Sequence, residues 1–401
     1  MSERADVVII GGGIMGLALA FELSRRARRR IVVLERRYVG AGATSRNIGR
    51  VRTSQFSPEL ARFARAAFQK HLDLADELGA NTLFWRPGYA LVFYGEDELA
   101  PIGEVRAALD GLGLPTEYHT GRAVVRRLPV LDGGQEPLAC LIRPDGVVHH
   151  DALVFAYRRA VRRQGVEIRE NVAVHGILAA GGRVEGVATA AGEIRAPLVL
   201  NAAGGWSREV SALAGLKVPN VALRREVIVT ESGRPFMDTM ISFYRPVEGW
   251  FHQTLRGEMV AGVVHPHEPA GVEHRASPAA LGRIAHHILG KAPRLAGLRV
   301  VRQWAGVYDV TPDRKAMIGP ATGLSGFIQA NGDNGRGIAF TPYVAELLAA
   351  WIDSGARPAA LEPFDPSRYD GREDTPVEGG DYYAAYRKAA VPPTPAAAST
   401  S

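Results

Sequence analysis

The first clear pattern in the chain is an unbroken apolar run, Val7-Val8-Ile9-Ile10, met at once by Gly11-Gly12-Gly13-Ile14-Met15-Gly16 and then by an apolar-rich stretch from Leu17 to Ser24. An apolar run without polar alternation predicts a parallel strand covered on both faces, and the longer stretch predicts a helix. Ile31-Val32-Val33-Leu34 repeats the strand pattern and ends in Glu35. Strand, glycine turn, helix, strand and acid in this order predict a Rossmann-type βαβ unit. Gly11 allows the tight turn, Gly13 lets the backbone approach a pyrophosphate, and Gly16 lets helix and strand pack closely. The free N–H groups of the helix start, around Ile14 and Met15, face the phosphates. Glu35 suits hydrogen bonds to an adenosine ribose, with Arg36 beside it, and its charge argues against a ribose 2′-phosphate. The motif alone leaves FAD and NAD both open.

Later segments change period. Arg224 to Thr230 alternates as a strand does, and Trp250–Leu255 and Glu258–Val263 flank Arg256-Gly257 as the arms of a hairpin. Phe327–Ala330 predicts another strand, and a glycine-rich turn after it opens a helix from about Thr341 to Ile352. The expected architecture is α/β, with an α+β second domain. Residues 1–81, 141–205 and 301–365 form the nucleotide domain, and 82–140 and 206–300 form a mostly antiparallel substrate domain. Residues 366–401 are an extension rich in Gly, Pro and Tyr, with a disordered end expected. Tyr382, Tyr383 and Tyr386 there are expected to pack on the body or on a partner subunit.

Composition adds limits. A chain of 401 residues is long for a single core. The net charge of +6 comes mainly from arginine and is not gathered on one segment, so no nucleic-acid surface is expected. Arg25-Arg26 and Arg28-Arg29-Arg30 fall at a helix end, where cations suit the dipole. The one cysteine, Cys140, allows no intrachain disulfide and suits a reducing compartment. A strand starting near Asp6 leaves no room for a signal peptide, and the apolar stretches are too short to span a bilayer, so a cytoplasmic protein is expected. His265, His267, His286 and His287 match no metal-ligand spacing, and no metal is expected.

Three segments select the cofactor by resemblance. Gly40-Ala41-Gly42-Ala43-Thr44-Ser45-Arg46-Asn47 resembles the flavin-side loop of the D-amino acid oxidase superfamily of FAD enzymes. Leu198 to Ser207, with Gly204 and Trp206, is similar to a second signature of that family. Trp304–Asp313 and Met317–Pro320, followed by Asn331-Gly332-Asp333-Asn334-Gly335-Arg336-Gly337 and Ile338, resemble its C-terminal flavin segment. With the N-terminal unit the resemblance runs from about residue 6 to 352, and it implies FAD held by these residues together with Val172. A glycine-rich turn opening a helix also exposes N–H donors that suit the negative charge of a reduced flavin. Gly306 stands where monomeric sarcosine oxidases carry their tethering cysteine, which implies noncovalent FAD.

Within the family the chain is similar to the β subunits of heterotetrameric sarcosine oxidase and to glycine oxidase-like members. Asp145 to Leu153 resembles a β-subunit segment whose histidine carries covalent FMN at a subunit interface, and His150 falls on it; the alternative is a helix cap by His150-Asp151. Ala339 replaces the lysine of β subunits and Gly335 the arginine of glycine oxidases, leaving Arg336 and Arg52 as anchors for a substrate carboxylate. The resemblance places Tyr244 and His252 on the strand region facing the substrate. There His252 is a candidate to take the amine proton, or else an ordinary strand residue. The implied reaction oxidises a C–N bond of an amino or N-alkylamino acid. Hydride passes to flavin N5, the imine hydrolyses, and electrons go to oxygen or an acceptor protein. Two rivals remain: an FAD monooxygenase, and a flavin-binding subunit that supports a partner's chemistry.

Overall fold

In the computed structural model the described residues are 3–55, 57–264, 268, 270–375 and 377. The expected βαβ unit is present: strand Val7–Ile10, helix Ile14–Arg26, strand Ile31–Glu35. These strands are buried on both faces, as their lack of polar alternation requires. They lie within a six-stranded sheet whose order is Met317–Pro320, Phe327–Asn331, Leu198–Asn201, Val7–Ile10, Ile31–Glu35, Glu167–Glu170. Every neighbouring pair is parallel except the first.

Helices Ile14–Arg26, Pro58–Leu78, His150–Arg163 and Gly337–Ser354 supply the apolar side chains of the core on one face of this sheet. The other face is covered by a smaller sheet that includes Val174–Ala180, Arg183–Thr189 and Gly192–Arg195. Across the helix layer, Lys70 is buried among Glu22, Glu77 and Glu346, at 3.5, 2.6 and 2.6 Å, tying three helices together.

An eight-stranded sheet forms the second body, with the long strands Val221–Ser232 and Val300–Val310 antiparallel along one edge. The predicted hairpin is there as Gly249–Gln253 and Glu258–Val263. One face packs on helix Pro278–Lys291 through Ile241, Phe243, Phe251 and Ile288. Two strands lie outside the boundaries the sequence suggests. Ala139–Arg143 and Val300–Val310 belong to this sheet, although 141–205 and 301–365 were assigned to the nucleotide domain. Their pairing partners, not their place in the chain, decide this. Cys140 sits on the first of them between Val92 and His119, fully buried. Among the described residues no helix is long and apolar enough to cross a membrane. His265, His267 and the three tyrosines of the extension lie outside the described residues.

Candidate functional site

A cavity of about 700 Å³ runs between the two bodies, a size usual for cofactor sites. Its first end is built largely from backbone. Gly11 has φ +114°, and a Cβ there would stand 2.4 Å from the Ala202 carbonyl oxygen. A Cβ on Gly16 would meet the Gly11 carbonyl oxygen at 1.9 Å, so helix and turn touch only because both positions are glycine. Glu35 organises the turn: Oε2 accepts from the Gly12 N–H at 2.8 Å and Oε1 from the Arg37 N–H at 2.9 Å. Thr44 Oγ1 accepts from the Ile14 N–H at 3.0 Å, drawing the 40s loop onto the helix start. The Arg36 guanidinium lies 4.4 Å from the Trp206 ring centroid, a cation–π contact at the cavity wall.

The opposite end is built from side chains on the inner face of the eight-stranded sheet. The period-2 rule puts Arg225 and Val227 on one face, and antiparallel pairing sets them against Gly306 and Trp304. Val227 pairs with Gly262, and Gly262 with Trp250. A Cβ on Gly262 would come within 2.7 Å of the Trp250 ring, so glycine leaves room for that indole. Arg50 reaches this wall from the short strand Arg50–Val51. Its guanidinium lies 5.2 Å from the Trp250 centroid and donates to Ser242 Oγ at 2.6 Å. Arg225 is 6% exposed, donates from Nη1 to the Arg224 carbonyl, and lies 5.2 Å from the Tyr308 centroid. Gly335, at φ +77°, admits the Tyr308 ring, which would otherwise stand 2.4 Å from a Cβ.

Two carboxyls line the cavity beside the glycine turn. Asp309 accepts from Asn220, Ser207 and the Gly332 N–H at 2.6, 3.0 and 2.7 Å, yet burial still pushes it up to about 6. Asp333 is pushed up to about 7, by burial first and then by the Asp309 charge.

The cavity gathers most of the cofactor candidates: Gly11, Gly13, Ile14, Met15, Glu35, Arg36, Gly42, Ala43, Thr44, Arg46, Asn47, Val172, Gly204, Trp206, Gly335, Gly337 and Ile338. Gly16 lies behind the turn as its packing contact, and Gly332, Asn334 and Arg336 are not on the wall. Asn334 braces the turn from inside, with Oδ1 accepting from the Thr311 N–H at 3.0 Å. Arg336 is buried against the body, donating to Gln55 Oε1 at 3.2 Å and the Arg314 carbonyl at 2.9 Å. Adjacent turn residues point differently, and the aligned glycine, Gly335, is the one that faces inward.

Arg52 and Tyr244 are bonded to each other, Nη1 to hydroxyl at 3.3 Å, and sit behind the wall. His252 is buried and brought down to about 3, by burial first and then by the Arg50 charge, so it is neutral across the physiological range. His150 opens helix His150–Arg163, stacked on His149 with centroids 5.4 Å apart. The cap itself is His149, whose Nδ1 accepts from the Ala152 N–H at 3.4 Å, so capping by His150-Asp151 is not what forms. Arg50, Arg225, Trp250 and Tyr308 were not among the site residues expected from sequence. The signal lay in the alternation of Arg224–Thr230, whose inward face becomes readable once it is registered against Gly306.

Among known proteins, the profile of the family described as FAD dependent oxidoreductase (DAO) matches residues 6–351. The chain belongs to this family. FAD is therefore the cofactor of this FAD-dependent oxidoreductase, and it is an enzyme. It is 30% identical over 321 residues to sarcosine oxidase subunit beta of Rhizobium meliloti, covering 78% of this chain and 76% of that one. The L-proline dehydrogenase of P. horikoshii is 25% identical with a TM-score of 0.86, covering 92% of this chain and 99% of the other. Glycine oxidase from Geobacillus kaustophilus, at 24% identity and a TM-score of 0.82 over 92% of this chain and 99% of its own, shares the fold. The cavity suits FAD on its own terms. The oxidoreductase has glycine cradles where Cβ atoms would block the backbone, an acid at the second strand tip, and a helix starting at Gly337 on the cavity wall.

Proposed function

We propose that this oxidoreductase oxidises the C–N bond of amino acids or N-alkylamino acids. The observation that carries the reading is the continuity of one cavity, from the glycine turn at Gly11 to a wall of Arg50, Arg225, Trp250 and Tyr308. The first end would hold the adenosine and pyrophosphate through Gly11, Gly13, Glu35, Arg36, Thr44 and Trp206. The Gly335–Ile338 turn would face the flavin ring. FAD bound there would supply the two-electron acceptor for hydride from the carbon next to the substrate nitrogen. A guanidinium on the wall binds the substrate carboxylate and fixes which carbon faces the ring. The same positive charges disfavour an ammonium group, so the amine enters in the neutral form that can release hydride. The nitrogen lone pair closes a C=N bond as hydride leaves, and water adding to that bond releases the amine and the carbonyl product.

The test is anaerobic mixing of the holoenzyme with sarcosine, N-alkylamino acids, proline, glycine and D-amino acids, following the flavin's visible absorbance. Bleaching by any of them supports the reading, and its absence with all of them overturns it. Rapid return of colour on admitting air would assign oxygen as acceptor, and slow return an acceptor protein.

A second reading, in which the chain works beside a partner subunit, is favoured by the paired His149 and His150 at a partly exposed helix start, and by the relative named as a subunit. Mass spectrometry of the denatured protein decides its sharpest form: a mass added at His150 would mark covalent FMN, and an unmodified His150 removes that form.

A further inference from the structure

The ring-side wall carries more anion-binding capacity than one carboxylate uses. Among the described residues, Arg225 is 6% exposed, its Nε has no hydrogen-bond partner, and its Nη1 donates to the Arg224 carbonyl. Arg50 donates to two hydroxyls, Ser242 at 2.6 Å and Tyr89 at 3.5 Å, and to no carboxylate among the described residues. Arg225 lies 5.2 Å from the Tyr308 centroid and Arg50 lies 5.2 Å from the Trp250 centroid, and both charges act on the Tyr308 hydroxyl, opposing the rise that burial causes.

Among the described residues, no acid in the neighbourhood forms an ion pair with either group. Glu248 acts on Arg225 and Arg52 only at longer range, without an ion pair among the described residues. Glu268, which also acts on Arg225, is committed to Arg224 at 2.6 Å. Asp309 has three donors of its own, and burial pushes Asp333 up to about 7. A buried guanidinium such as that of Arg225, left without an anion, costs several kcal/mol, and each planar fork, that of half-buried Arg50 included, can donate to one carboxylate in bidentate fashion. Two such forks at one end of one cavity call for two anionic groups.

We infer that the substrate is an amino dicarboxylate, N-alkylated or not, one carboxylate held by Arg50 and the second by Arg225. This rests on the amine-oxidation reading for the reaction, but the double anchor is a binding statement that can be judged without turnover. Arg225 thereby becomes a specificity-determining residue, discriminating against monocarboxylates by the cost of leaving its own charge unpaired.

The experiment titrates the FAD-loaded protein at low ionic strength with glutarate and succinate against butyrate and acetate, reading the perturbation of the flavin's visible spectrum. Dicarboxylates are expected to bind about tenfold tighter or better, the yield of one charge-assisted pair. Arg225→Met should remove that advantage, and Arg225→Lys should restore part of it. Equal affinity for the two series in the unaltered protein overturns the inference, whether or not the variants fold. So does an Arg225→Met protein that binds both series equally more weakly. In parallel, N-methylaspartate and iminodiacetate are set against sarcosine and proline in the anaerobic reduction. If monocarboxylates reduce the flavin and dicarboxylates neither bind better nor reduce it faster, only the double anchor falls. If no amine reduces it, the reaction reading falls, while the titration still decides the anchor.

Discussion

The two ends of the cavity are made of different material. At the glycine-turn end the shape is cut by glycines and by backbone N–H groups, with Glu35 tying the turn through Gly12 and Arg37. At the sheet end the shape is set by Arg50, Arg225, Trp250 and Tyr308, projecting from separate strands of the eight-stranded sheet and the short strand at Arg50. A backbone-built site tolerates almost no change of residue, because a single Cβ occupies the space of the ligand or of the packing contact. A side-chain-built site can change its ligand by changing one residue while the sheet stays as it is.

That contrast can be broken most severely at Gly16. Gly16→Val is expected to purify without FAD and to melt several degrees lower, since overpacking of this kind costs about 1–3 kcal/mol or more. Trp250→Leu at the other end should keep FAD affinity within about threefold, the loss of one aromatic contact. Retention of flavin by the first variant, or its loss by the second, would reverse the comparison; absorbance of the purified proteins reads both.

A middle-sized effect is expected at Glu35. Removing its two charge-assisted bonds in Glu35→Ala should weaken FAD by about 10- to 100-fold, and Glu35→Gln, which keeps an acceptor, by about tenfold or less. Fluorescence titration of the apoprotein measures it, and equal losses in the two variants would show that charge, not turn geometry, is the contribution.

The smallest effect concerns pH. Asp333 holds its proton more tightly in the fold, at about 7, than at its ordinary value of 3.8. The folded state then binds more protons than the unfolded one between those values, so stability declines as pH rises through that window. Asp333→Asn should remove its share of the decline, narrowing by a few degrees the gap in apoprotein Tm between pH 5 and pH 8 while the raised Asp309 keeps the rest. An unchanged gap would show that Asp333 does not titrate there.

The same contrast explains what could be read from the sequence. Gly11, Gly13, Gly16 and Glu35 announce themselves because each answers a local steric or hydrogen-bonding need at a fixed spacing. Helix Gly337–Ser354 was visible but its start was placed four residues late, since the glycines of the turn continue into its first turn. Arg225 and Arg50 belong to one site only through strand pairing and a loop crossing between bodies, which no local pattern encodes. Arg336 shows the limit: on a tight turn a shift of one residue moves a side chain from the cavity to Gln55 and the Arg314 carbonyl.

The solitary thiol has a practical consequence. Cys140 lies fully buried between two paired strands, and burial pushes it up to about 12. Thiol reagents therefore find no native target on the folded surface. A cysteine introduced on either body becomes the sole attachment point for a spin label or dye, with no prior removal of native sulfur. With one such cysteine on each body, distances between the two sheets can be followed as ligands enter the cavity, on a chain altered only where the labels sit.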